Sequence, residues 1–274
     1  MSGKLFVVGT PIGNLSDFSP RAIQTLSEAD FIAAEDTRVT LKLLNKFNIS
    51  TPMISYHKYN AKERGEEIVR RIENGENCAI VTDAGMPCIS DPGEPLVKLC
   101  AEKGITVCVV PGPTAFASAV AVSGLPTGRF TFEGFLSVNK KERREHLLSL
   151  QKEVRTMVFY EAPHKLSAAL KDMYENFGDR NVAIVRELTK IHEEVIRTTL
   201  SQACEQYADN HLKGEIVLVV EGTKEIPAED MTLDYAVSVA KQLAEKGCSL
   251  SDAAKSSAKL TGFKKSDIYK NLID

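Results

Sequence analysis

The stretch IVTDAGMPCISDPG, residues 80–93, decides how this chain is read. It closes an apolar run, Cys78-Ala79-Ile80-Val81, short enough and apolar enough for a buried strand. It then breaks into a loop carrying Gly85, Pro87, Pro92 and Gly93. At its far end, Asp91-Pro92-Gly93-Glu94 has the composition of a helix start: a capping carboxylate, a proline at the first helical position and a glutamate two residues on. Asp91 is therefore expected to serve the backbone, and Asp83, at the strand end, to face a ligand. Val107–Val110 running into Pro111-Gly112-Pro113 repeats the device, and so does Lys4–Gly9 running into Gly9-Thr10-Pro11-Ile12-Gly13-Asn14. Strand ends that open into Gly/Pro loops indicate an open α/β sheet with its ligand crevice beyond the carboxyl ends of the strands.

Outward from that stretch, strands alternate with helices over about 120 residues, the pattern of a parallel sheet with crossover helices. Residues 1–124 are expected to form this first α/β domain. Residues 125–225 read as a second, mixed one. There Arg129–Phe135 alternates as a strand, and Val182–Arg186 and Glu194–Thr199 lie close enough to pair antiparallel. Lys224–Asp230 (KEIPAED) has the composition of a linker. Residues 231–274 then carry three short helical stretches, broken at Gly247 and Thr261-Gly262-Phe263, with Ser249 or Ser251 as cap of the second; this resembles a helix-turn-helix unit.

Composition excludes several classes. Of 274 residues, 43% are apolar and 26% charged, as in ordinary globular proteins. No run of about 18 uncharged apolar residues suggests a membrane span. The first residues enter a strand without a signal peptide's apolar region, so a cytoplasmic location is expected. The six cysteines include no CxxC pair, which makes them packing thiols in a reducing compartment rather than zinc ligands, and no metal site is expected. A net charge of −3 excludes a protein coated in positive charge, while leaving room for local basic patches.

Among the candidate site residues, GTPIGN lacks both the dinucleotide fingerprint and the P-loop lysine. Glu35-Asp36-Thr37-Arg38 places two acids and an arginine at the end of a strand; Asp36 or Thr37 can cap the following helix, which leaves Glu35 and Arg38 free for substrate. Thr114 and Ala115 open a helix of small residues that can pack close to a sheet or to a cofactor. His57 and His164, in polar surroundings, read as solvated. Lys140, Lys141, Arg143 and Arg144 form one basic cluster, and Lys264 and Lys265 belong to another in the tail. Both are solvated faces that can also meet phosphates.

The segments VGTPIGNLSD, AAEDTR, VTDAGMPCISDPG, VVPGPTA, RFTFEGFL, FYEAPHKL and VRELTKIHEE, in this order, resemble those of the bacterial 16S ribosomal RNA (cytidine-2′-O)-methyltransferases of the tetrapyrrole methylase superfamily. The resemblance spans nearly the whole chain. It implies two α/β domains with S-adenosyl-L-methionine in the cleft between them, a small C-terminal helical domain and a homodimer. Carried over by motif, Pro11, Ile12 and Gly13 border the cofactor. Asp83, Ala84, Gly85, Met86 and Ile89 cradle its methionine and ribose, and Thr114 and Ala115 make close contacts. Tyr160 and Glu161 approach from the second domain, and Leu188 lies near the adenine. The chain departs from the family where relatives have a GGDP-type loop, and it has Met86 where threonine is expected.

The implied reaction is in-line attack of a ribose 2′-oxygen on a sulfonium methyl, in 16S rRNA presented by the small ribosomal subunit. Positioning and water exclusion supply much of the acceleration, and a base assists proton removal. Glu35, Asp36 and Glu133 are the acids to consider, and the sequence singles out none of them. Two alternatives stand beside this one: a small-molecule methyltransferase acting on a tetrapyrrole, and a non-catalytic RNA-binding assembly factor. The basic cluster and the helical tail weigh against the first, the intact cleft loops against the second.

Overall fold

A computed structural model describes residues 2–208, 212–223, 232–245 and 248–273. The chain divides into two compact units, Met1–Thr223 and Lys224–Asp274. Among the described residues no helix is long and apolar enough to cross a membrane.

In the larger unit the N-terminal half is a parallel sheet of β1 (Lys4–Val8), β2 (Phe31–Ala34), β3 (Met53–Ser55), β4 (Cys78–Val81) and β5 (Thr106–Val110), in the order β3-β2-β4-β1-β5. Its inner strands β2 and β4 are short, fully buried apolar runs because both faces are covered there, whereas β3 and β5 at the edges stay partly exposed. On one face Leu5, Phe31 and Ile80 pack against Ile68 and Ile72 of α3 (Ala61–Glu73) and Leu96 of α4 (Glu94–Glu102). On the other, Val8, Ile32 and Val81 meet Leu26 of α1 (Pro20–Glu28) and Leu44 of α2 (Thr37–Lys46). Each large apolar side chain so buried contributes roughly 1.5–3 kcal/mol. The Ser19-Pro20 start is used as its composition implies: the Ser19 hydroxyl accepts from the Ala22 amide at 3.1 Å. Because all five strands run the same way, the loops after β1, β4 and β5 emerge together at one edge.

The second sheet holds β6 (Phe130–Phe135), β7 (Thr156–Glu161), β8 (Asn181–Arg186), β9 (Glu194–Thr199) and β10 (Ile216–Val220), ordered β6-β7-β10-β8-β9. Only β6 and β7 are parallel; β8 and β9 form the antiparallel pair expected from their spacing. One face is closed by α6 (Lys140–Ser149), α7 (Leu166–Phe177) and α8 (Leu200–Gln206) through Leu147, Leu170, Met173 and Leu200. The other is covered by α5 (Ala115–Ser123), whose Ala119 and Val120 pack on Val158, Ala183, Val217 and Val219. The small residues of α5 thus bring it close to the second sheet, although it follows the last strand of the first. Arg197 of β9 holds its C-terminal end, donating to the carbonyls of Ser123 at 3.0 Å and Val122 at 2.5 Å.

Two expectations are corrected here. Asp91 does not cap α4: the cap position is Gly93, at φ 136°, with no side-chain capping bond, and Pro95 is the proline of the first turn. The Asp91 carboxyl is engaged with Thr82 instead, and Gly93 has no room for a side chain, since a Cβ there would sit 2.5 Å from the Cys88 sulfur. Strict alternation in β6 also fails, because the register against β7 shifts between Phe132 and Gly134.

The smaller unit packs α9 (Leu233–Glu245), α10 (Leu250–Thr261) and α11 (Lys265–Ile273) around Ala236, Ala240, Ala253, Ala254 and Ile268. Ser249 caps α10, accepting from the Asp252 amide at 3.2 Å, and Gly262 at φ 81° ends it. The linker at 224–230 and the break at Gly247 lie outside the described residues.

Candidate active site

Backbone contacts between strand-end loops build the site. The amide of Thr10 donates to the carbonyl of Gly85 at 2.9 Å, and the Gly85 amide returns the bond to Thr10 at 3.2 Å. The Thr10 hydroxyl donates to the Thr82 carbonyl at 3.2 Å, so the loop after β1 is laced to the loop after β4. Gly85 serves this arrangement twice. Its φ of +89° is left-handed, and a Cβ there would lie 3.3 Å from Ile12. From the other sheet, the Tyr160 hydroxyl accepts from the Phe116 amide at 3.3 Å and ties β7 to the first turn of α5.

Between these elements lies a cavity of about 460 Å³. The first sheet's loops contribute Ile12, Asp83, Ala84, Gly85, Met86, Ile89 and, from the start of α5, Thr114 and Ala115. Tyr160, Glu161 and Leu188 line it from the second sheet's side. Pro11 and Gly13 flank Ile12 without lining the cavity. Several lining residues were not anticipated: Thr82, Ser90, Asp91 and Phe135 above all, with Val185, Glu215, Ile216 and Val217. The strand-end position of Thr82, next to Asp83, was the signal available for it.

An acidic cluster centres on Thr82. Its buried hydroxyl donates to Glu35 Oε2 at 2.5 Å. Burial, reinforced by the neighbouring Glu35, pushes the Asp91 carboxyl up to about 6, with the Thr82 hydroxyl opposing the shift. Asp83 is raised for the same reasons, burial first and Glu35 second, although its Oδ1 accepts from the Asp36 amide at 3.2 Å. Glu35, Asp83 and Asp91 make no ion pair with a basic side chain among the described residues. Glu161 is buried and raised by that burial, while its Oε1 accepts from the Ala162 amide at 2.8 Å.

Of the acids considered for proton transfer, only Glu35 lines the cavity. Asp36 caps α2 and is paired with Arg38 at 2.6 Å, which holds its carboxyl well below the usual range. Glu133 turns to α6 and meets His146 Nε2 at 3.0 Å. The basic residues are likewise divided. Arg38 is exposed but engaged by Asp36. Lys140, Lys141 and Arg144 line a surface hollow with Glu145 and Leu148, Lys141 lying 4.0 Å from Glu145. Arg143 instead donates to Asp172 Oδ2 at 2.5 Å and to the Ser137 carbonyl, a bracing role inside the domain. In the smaller unit Lys264 is exposed, and Lys265 Nζ donates to Ser251 at 2.9 Å.

Comparison with known proteins points in one direction. The family model described as tetrapyrrole (corrin/porphyrin) methylases matches residues 4–204. A ribosomal RNA small subunit methyltransferase I from Synechocystis is 44% identical over 268 residues, covering 97% of this chain and 96% of that protein. One of the same description from Thermotoga maritima is 51% identical over 220 residues, 80% of this chain and 99% of the relative. Among solved structures, uroporphyrin-III C-methyltransferase from Thermus thermophilus, complexed with S-adenosylhomocysteine, superposes with a TM-score of 0.56 at 18% identity, covering 80% of this chain and 97% of that one. That likeness is one of fold.

Proposed function

The chain belongs to the tetrapyrrole methylase family, alongside the ribosomal RNA small subunit methyltransferases I, and from this we infer an S-adenosylmethionine-dependent enzyme that methylates the 2′-oxygen of a cytidine in 16S rRNA of the small ribosomal subunit. The observation that carries the inference is near-full-length identity to those relatives, joined to a cavity whose walls come from the very loops that set the chain apart in sequence.

The residues present fit the cofactor. The volume falls within the roughly 300–1,000 Å³ of small-ligand sites. Ile12, Met86, Leu188 and Val217 offer apolar wall to an adenine and a thioether chain. The acids around Thr82 make no ion pair with a basic side chain among the described residues, and Arg38, held by Asp36, offsets Asp83 only from a distance, which leaves negative charge that suits a cationic ligand. We assign the ammonium and sulfonium ends to Asp83 and its neighbours, and the ring to the Leu188 side. When bound, S-adenosylmethionine supplies the methyl group as a sulfonium electrophile.

The chain's own part is to hold the ribose hydroxyl in line, exclude water and take up a proton. We assign that proton to Glu35 or Asp91, which both line the cavity and both contact Thr82. Domains at 1–124, 125–225 and 231–274, a homodimer and a cytoplasmic location belong to the same proposal, with α5 bridging from the first domain onto the second sheet. Given labelled S-adenosylmethionine and a choice of acceptors, the protein should label small ribosomal subunits and leave uroporphyrinogen unlabelled. Label in the porphyrinoid alone would reverse the assignment.

A further inference from the structure

Phe135 ends β6 as a ring with 60% of its surface open to solvent, yet it lines the cavity. Regular alternation would place it on the side of the sheet covered by α6, beside Glu133. The bulge prevents this. Phe132 pairs with Val158 and Phe135 with Tyr160, so two aromatic residues three apart share the face of two β7 residues that are two apart. Gly134, at φ +65°, takes the left-handed conformation that the extra residue demands. Glu133 is left to turn to His146 of α6.

Behind Phe135 stands a chain of rings. Its centroid lies 5.4 Å from that of Tyr160 at 58°, Tyr160 is 5.0 Å from Phe132, and Phe132 stacks on Phe116 at 4.6 Å. The Tyr160 hydroxyl is itself anchored on the Phe116 amide. The last ring is thus held from behind and bare in front, at the mouth of the cavity. Shortly beyond it the chain presents Lys140, Lys141 and Arg144, exposed on α6.

We propose that Phe135 is the stacking platform for the base of the nucleotide whose ribose enters the cavity, an unstacked pyrimidine lying on its open face. This rests on the function proposed above. Single-stranded RNA segments are recognised through unstacked, splayed-out bases held on aromatic faces, and a nucleotide so splayed brings its ribose into a recessed site. Lys140, Lys141 and Arg144, which follow Phe135 in sequence at the start of α6, are exposed cations available to flanking phosphates.

The test compares Phe135→Ala, Phe135→Leu and Phe135→Tyr in steady-state methylation of small ribosomal subunits, with S-adenosylmethionine affinity measured by calorimetry on the same proteins. Loss of one stacked base predicts a rise in KM for subunits of about 10- to 100-fold for Ala and Leu, and a change within about threefold for Tyr. Cofactor affinity should change by no more than about threefold in all three, far less than KM, and unfolding midpoints will report intact folding at this exposed position. An unchanged KM in Phe135→Ala while the wild type labels 16S rRNA overturns the platform alone. Leu performing as well as Tyr replaces stacking by simple packing and overturns it too. Equal losses in cofactor affinity and KM move the ring to the cofactor's site. Failure of the wild type to label rRNA removes the parent function, and the platform with it.

Discussion

Gly9 and Gly112 approach each other so closely that neither tolerates a side chain: a Cβ on Gly9 would stand 2.7 Å from Gly112 Cα and from the Met86 sulfur, and one on Gly112 would stand 2.9 Å from Gly9 Cα. The contact is backbone against backbone, which cannot yield by rotamer change. It fixes the loop after β1 against the loop after β5, and Met86 links both to the cavity. Either Gly9→Ala or Gly112→Ala should therefore lower stability by about 1–3 kcal/mol, the usual cost of overpacking a tight site. Urea unfolding and calorimetric titration with S-adenosylmethionine should show both a lowered midpoint and a weakened cofactor affinity. An alanine variant with wild-type values in both would show that the loops do not form one unit.

The pH dependence of stability follows from Asp91. Its carboxyl is pushed up to about 6 in the folded protein, above the value of an exposed aspartate. Between those two values the folded state holds the proton more tightly than the unfolded one, so stability falls as pH rises through that window and the penalty is complete above pH 6. Asp83, raised for the same reasons, adds in the same direction. Asp91→Asn should then be more stable than wild type at pH 7 by about 1–2 kcal/mol, after discounting for the part of the carboxylate that stays hydrated. The gain should shrink as pH is lowered toward 4. Denaturant midpoints at several pH values measure it, and an Asn variant less stable at pH 7 would contradict the assignment.

Tyr160 ties β7 to the first turn of α5 through one hydroxyl. Tyr160→Phe keeps the ring and its neighbours Phe132 and Phe135 but strips the acceptor from the Phe116 amide. The expected loss is about 0.5–1.5 kcal/mol. Hydrogen exchange should quicken at the first turn of α5 and not in the β1–β5 sheet. Uniform exchange rates would mean that α5 is held by packing alone.

The C-terminal unit has its own core, and the Thermotoga maritima relative is almost wholly covered by 220 residues of alignment. Truncation after Thr223 should therefore leave a folded protein with wild-type cofactor affinity and kcat. The KM for small subunits should rise by roughly tenfold, as expected for the loss of a few phosphate contacts. A collapse of kcat would instead make the tail part of the chemistry.

Strands β1, β2 and β4 are legible because a covered inner strand is written as a short apolar run; β5, a partly exposed edge strand, is legible from its valines and from the Pro-Gly-Pro that marks where its loop must open. The loops carry most of the cavity's walls for the same reason. Phe135 was not legible. FTFEGF alternates cleanly up to Gly134, and nothing local says whether that glycine continues a strand or makes a bulge. Asp-Pro-Gly-Glu matches a cap in sequence, yet the cap falls on Gly93, and Asp91 joins Glu35 around Thr82. Glu35 and Thr82 lie 47 positions apart, a contact that only the folded sheet creates. The small residues of α5 announced close packing, but which sheet they meet depends on the whole chain.

The central claim is a methyl group on a ribose oxygen. Small ribosomal subunits incubated with the protein and labelled S-adenosylmethionine should be stripped to RNA, digested to nucleosides and separated. The account predicts label in 2′-O-methylcytidine from 16S rRNA, lost in Asp83→Ala. Label on a base, or none in RNA at saturating cofactor, would contradict it.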